Sequence, residues 1–114
     1  MANYLVMIYD NEAAWANADA SVAEEVTQQH TEFARNNGAA LRGGARLGES
    51  ATATSIRHAG NGTTSLTDGT FAETKEVLAG YYVIEAADLD EALEIAKQVP
   101  ARFGGVEVRP IIPD

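Results

Sequence analysis

Residues 3–9 read NYLVMIY, and the apolar character of both faces of this segment limits the possible folds. β-Branched and aromatic residues are typical of strands, and successive side chains of a strand point to opposite faces. Three apolar side chains fall on each face: Tyr4, Val6 and Ile8 on one, and Leu5, Met7 and Tyr9 on the other. We therefore expect both faces of this strand to be covered in the assembled protein.

The same two-sided pattern recurs near the other end of the chain, in Val77–Ala86. Tyr82 and Ile84 share one face of this second strand, and Tyr81 and Val83 share the other. Two strands of this kind predict a sheet whose centre is apolar on both sides.

Two helices follow the two core strands. Ser21–Glu24 fits a capping box, which predicts a helix that begins at Ser21 and runs to about Asn37. Asp88–Glu91 gives a second capping signal, and the apolar stripe behind it predicts a helix that Pro100 ends.

The remaining segments predict three further pieces of sheet. Ala39–Leu47 indicates a strand with a bulge at Gly43–Gly44. Thr52–His58 and Thr63–Thr67 flank a Gly-Asn-Gly turn and indicate a polar hairpin. Val106–Ile112 closes the chain as a strand.

The order of these elements is β-α-β, hairpin, β-α-β. It predicts one domain over residues 1–114 with an α+β, ferredoxin-like antiparallel sheet, two helices on one face and an inserted hairpin. Since two helices cover only one face of the sheet, we expect a homodimer that buries the other face.

Composition excludes several classes of protein. The chain has a net charge of -9 and no cysteine, which argues against nucleic-acid binding, disulfides and thiolate metal sites. The first apolar run ends at Asp10, too early for a membrane span. We expect a cytoplasmic protein with no metal and no cofactor.

His30 is the most informative polar residue, because it lies on the apolar stripe of the first helix with Val26 and Phe33. A histidine in this place is either a core residue bonded to the backbone or a proton-transfer group of a site. The sequence leaves both interpretations open.

A cluster of charged residues before the second core strand has two interpretations as well. Asp68 precedes Gly69 and fits a turn residue. Glu73, Lys75 and Glu76 fit an exposed turn, but either Glu73 or Lys75 could face inward.

The cluster also resembles a known motif. Asp68–Glu76, read DGTFAETKE and followed by Gly80-Tyr-Tyr, is similar to the DGPF motif of the YCII-related (DGPF) domain family, with Thr70 in place of the proline. Four further segments resemble the family in the same order: YLVMIYDNEAAW at 4–15, TATSIR at 52–57, DLDEA at 88–92 and VEVRP at 106–110.

The resemblance implies a ferredoxin-like fold that dimerises sheet to sheet as an α/β barrel. It implies little about activity, because members are largely uncharacterised, although many are encoded beside extracytoplasmic-function sigma factors. Distant relatives, including lyase-like dehydrochlorinases, pair a helix histidine with an aspartate. His30 matches that histidine, but Val99 stands in place of the aspartate, so Asp68 or Glu73 would have to supply the acid.

The leading hypothesis is a small-molecule site between the first helix and the sheet, with lyase- or isomerase-like proton transfer. In this hypothesis His30 and Asp68 are catalytic. The expected ligand-binding residues are Tyr9, Phe71, Glu73, Lys75 and Tyr81. The alternative is a non-catalytic regulatory module that binds a protein partner, such as a sigma factor, through its dimer surface or the DGTF loop.

Overall fold

The computed structural model describes residues 1–114 and contains six strands and three helices. The strands are β1 Ala2–Asn11, β2 Leu41–Arg46, β3 Thr54–His58, β4 Thr64–Asp68, β5 Glu76–Ala86 and β6 Gly104–Pro110. The helices are α1 Glu12–Ala16, α2 Ala20–Asn36 and α3 Leu89–Ala96, and a 3₁₀ turn spans Ser50–Thr52.

Four strands form one antiparallel sheet in the order β2-β5-β1-β6, while β3 and β4 form a separate hairpin. This α+β arrangement is consistent with the predicted ferredoxin-like fold. The two apolar strands, β1 and β5, are the neighbours at its centre, with Val6 opposite Tyr82 and Tyr4 opposite Ile84.

The core lies on one face of this sheet. Helix α2 contributes Phe33 to it, and α3 contributes Ala92, Ile95 and Ala96. The sheet contributes the even-numbered side chains of its central strands: Tyr4, Val6 and Ile8 from β1, and Ile84 and Ala86 from β5. Val6 and Ile84 are fully buried, which confirms that the two helices cover one face.

The opposite face of the sheet is open in the single chain. It carries the odd-numbered residues of β1 and β5, of which Leu5, Tyr81 and Val83 are partly exposed. Met7 is only 9% exposed although it lies outside the core cluster. Its burial comes in part from Tyr9, whose hydroxyl lies 4.0 Å from the Met7 sulfur.

The helix ends differ in part from the predicted ones. Helix α2 begins at Ala20 with Asp19 as its N-cap, two residues before the predicted cap Ser21, so the predicted capping box at Ser21 is wrong. Helix α3 has the expected cap, since Asp88 accepts a hydrogen bond from the Glu91 amide at 2.9 Å. It ends at Ala96 rather than at Pro100, because the chain continues there in tighter turns.

No helix combines the length and apolar character that crossing a membrane requires.

The hairpin has the predicted position and turn. Gly60 and Gly62 both have positive φ values, 83° and 86°, which glycine adopts without strain. Ile56 and Leu66 face each other across the two strands and are 50% and 66% exposed.

The two long helices offer a matched test of capping. Replacing Asp88 with Ala removes the hydrogen bond to the Glu91 amide and should lower the free energy of unfolding by about 1 kcal/mol. Replacing Asp19 with Ala removes no such bond, because the Asp19 side chain caps no amide. Urea unfolding of both variants checks this, and equal losses would contradict the assignment of the caps.

Candidate functional site

The predicted inward position of His30 is correct, and its partner is a tyrosine of the sheet. The Nδ1 atom of His30 lies 2.7 Å from the hydroxyl oxygen of Tyr82, across the seam between α2 and β5. Both side chains are partly buried. The imidazole Nε2 atom has no hydrogen-bond partner within the chain and is therefore the nitrogen left for a ligand.

Packing on two sides fixes the ring of Tyr82. Phe33, one helical turn beyond His30, lies with its ring centroid 4.8 Å from that of Tyr82. Gly44 of β2 lies opposite Tyr82, and a Cβ atom there would be 2.8 Å from the Tyr82 Cδ1 atom. The absence of a side chain at Gly44 thus makes room for the ring that directs its hydroxyl to His30.

Burial favours the neutral form of both partners. Burial lowers the pKa of His30, the charge of Asp10 opposes this shift, and the charge of Arg46 adds to it. Burial also raises the pKa of Tyr82. If the neutral imidazole donates its Nδ1 proton to the Tyr82 oxygen, Nε2 carries a lone pair and can act as a base.

The register of the sheet brings two charged residues to the same end of the covered face. β1 and β2 both run antiparallel to β5, so their carboxyl ends meet at one edge. Arg46 lies two residues beyond Gly44 on β2, and Asp10 lies two residues beyond Ile8 on β1. Alternation places both on the face that carries Tyr82.

A glycine of β5 lies between β1 and β2 at this end of the sheet. Gly80 of β5 pairs with Ile8 on one side and with Arg46 on the other. It is buried, and a Cβ atom there would lie 2.9 Å from the carbonyl oxygen of Ala45. We call this end of the covered face, where His30 and Tyr82 lie close to Asp10 and Arg46, the helix-face cleft.

The other predicted catalytic residue, Asp68, does not lie beside His30. It is the last residue of β4 in the hairpin, its side chain is exposed, and it makes no side-chain hydrogen bond within the chain. The predicted contact between Asp68 and His30 is therefore absent. The carboxylate whose charge acts on His30 is that of Asp10.

Two of the predicted ligand-binding residues meet on the open face instead. Tyr9 and Lys75 line a shallow groove of about 620 Å³ together with Thr74, Glu76, Gly105, Val106 and Glu107. Burial and the neighbouring Glu107 carboxylate raise the pKa of the Tyr9 hydroxyl. This groove contains both signs of charge but not His30.

The other three predicted ligand-binding residues line neither the groove nor the helix-face cleft. Phe71 is 63% exposed and has the guanidinium of Arg57 4.5 Å above its ring. Glu73 is exposed in the loop that leads to β5. Tyr81 lies on the open face, opposite in direction to its neighbour Tyr82. Their roles in binding stay predictions.

Sequence reasoning missed Tyr82, Asp10 and Arg46 as site residues. The helical stripe of α2 located His30, and strand alternation located Tyr82 on one of two faces. Only the register between β1, β5 and β2 shows that Asp10 and Arg46 flank the same cleft.

No group of three or more histidine, aspartate or glutamate side chains in the chain could hold a metal ion.

Comparison with known proteins identifies the family to which the chain belongs. The model of the YCII-related domain matches residues 2–113, so the chain belongs to the YCII-related domain family. An uncharacterised protein of Rhizobium meliloti (strain 1021) is 36% identical over 113 residues, which cover 95% of this chain and 90% of that protein. The resemblance seen in the sequence is thereby confirmed.

The neighbouring glycines of β2 test how Tyr82 is positioned. Gly44→Ala should displace the Tyr82 ring and lower the free energy of unfolding by about 1–3 kcal/mol, because the added methyl overpacks the site. Gly43→Ala should have little effect, since its Cβ would find only the Val83 Cβ atom, at 4.0 Å. Chemical denaturation measures the free energy of unfolding of both variants, and the NMR signals of His30 report whether the Tyr82 ring has moved. Equal losses would show that Gly44 does not make room for the ring.

Proposed function

We propose that this protein binds a small molecule in the helix-face cleft and that His30 transfers a proton there, as in a lyase or an isomerase. The observation that carries the proposal is the 2.7 Å contact between His30 and Tyr82. It leaves Nε2 without a partner inside the chain.

The chemistry of the cleft supports proton transfer in two respects. The lowered pKa of His30, caused first by burial, favours the neutral form of the imidazole, which can accept a proton. Asp10 then favours the imidazolium that forms when the proton arrives, because opposite charges attract. Tyr82 is a positioning residue in this proposal, since its hydroxyl fixes the orientation of the imidazole.

We also propose that the protein acts as a homodimer joined through the open face of the sheet. The chain is a slab only 17 Å thick with a radius of gyration of 16.2 Å, against about 13 Å for a compact chain of this length. Leu5, Met7 and Val83 form the apolar centre of that face. A second copy placed sheet to sheet would cover it and generate the α/β barrel that the family resemblance implies.

A ligand screen tests the small-molecule proposal. Compounds that bind in the cleft should raise the melting temperature of the wild type, by an amount that corresponds to about 2.7 kcal/mol at one hundred times the dissociation constant. His30→Gln should abolish the shift, whereas His58→Gln, in the exposed hairpin, should leave it unchanged.

Two outcomes would contradict that proposal. One is a set of stabilising compounds that act equally on the wild type and on His30→Gln. The other is a screen without a stabilising compound combined with capture of a specific protein partner through the DGTF loop. The second result would favour the regulatory module instead.

Light scattering after size exclusion tests the dimer. The wild type should elute as a dimer at micromolar concentration, and Val83→Lys should elute as a monomer, because it places a charge in the buried face. Leu93→Lys is the matched control: this apolar side chain is 38% exposed on α3, and its replacement should preserve the dimer. A monomeric wild type would overturn the proposal.

A further inference from the structure

We infer that the molecule bound in the helix-face cleft carries a carboxylate and that Arg46 holds it. This inference rests on the proposed function, since it names the class of ligand for the same cleft. It starts from the position of Arg46 at the end of β2, opposite Gly80 and on the face that bears Tyr82.

Arg46 has no anionic partner within the chain. The chain contains three ion pairs, and these join Arg42 to Glu85, Lys97 to Glu94 and Arg102 to Glu25. Arg46 takes part in none of them, and its guanidinium donates no hydrogen bond to any side chain or carbonyl. In a chain with 17 acidic residues and a net charge of -9, this guanidinium nevertheless stays available to an external anion.

Arg46 is exposed, so its guanidinium is accessible to a ligand from solvent. Gly80, its partner in β5, carries no side chain, and its backbone lies directly against that of β2. A planar guanidinium can bind a planar carboxylate through two parallel hydrogen bonds, which lysine cannot do. The apolar part of such a ligand would lie toward the ring of Tyr82.

Binding at Arg46 would also prepare His30 for its role. The charge of Arg46 lowers the pKa of His30 in the free protein. A bound carboxylate offsets that positive charge, so His30 should become a stronger base when the ligand is present. Recognition of the anion and acceptance of the proton are thereby coupled through one electrostatic interaction.

The test compares carboxylates with neutral analogues of the same shape. Acetate, benzoate and succinate are titrated at constant ionic strength into the 15N-labelled wild type, with acetamide and benzamide as neutral counterparts and inorganic phosphate as a second anion. The His30 ring signals should shift with at least one carboxylate, its pKa should rise, and the neutral counterpart should bind at least tenfold more weakly.

Variants of two arginines assign the effect to its site. Arg46→Gln and Arg46→Lys should each weaken the carboxylate at least tenfold, whereas Arg109→Gln on β6 should leave its affinity unchanged. The inference is overturned if Arg46→Gln binds the carboxylate as tightly as the wild type does. It is also overturned if the His30 signals respond to no carboxylate. Binding of phosphate but of no carboxylate overturns it as well. If neutral compounds from the screen still bind in a manner that depends on His30, the proposed function stands while this inference fails.

Discussion

The antiparallel pairing of β1 with β5 is the constraint on which the rest of the structure depends. Its register sets Val6 opposite Tyr82 and Tyr4 opposite Ile84. The even-numbered apolar side chains of both strands therefore pack against the helices, and the odd-numbered ones lie on the open face. A shift of one residue would exchange these sets and move every side chain to the wrong side. The pairing therefore decides both which side chains form the core and which side chains lie on the open face.

The helix-face cleft is a consequence of the same register. Tyr82 projects toward α2 at the level of His30, with Phe33 on one side of its ring and the bare backbone of Gly44 on the other. Asp10 and Arg46 then lie at the same end of the covered face because β1 and β2 both pair with β5.

Much of the fold could be predicted from the sequence, because local signals and burial point the same way. Strand alternation located the two central strands, and the Gly-Asn-Gly turn located the hairpin. Capping was less predictable: Asp88 caps α3 as expected, but Asp19 rather than Ser21 precedes α2. Both residues are acceptable caps, and the local pattern does not distinguish them.

The site was predictable only where one element defines it. The stripe of α2 sufficed to place His30 against the sheet. The acid near His30 required long-range information, since Asp10 is twenty residues away in sequence and Arg46 lies on a third element. The motif-based choice of Asp68 followed sequence similarity, whereas the hairpin carries Asp68 to an exposed position.

An NMR titration of the His30 ring tests the central claim most directly. The account predicts a pKa below the usual value of about 6.5, a further decrease in Asp10→Asn and an increase in Arg46→Gln, because the two charges act in opposite directions. The folded state should also lose stability as the pH falls from about 6.5 toward the lowered value, since the unfolded chain then binds the proton first. The account would be contradicted if His30 titrated at the usual value and its pKa changed in neither variant.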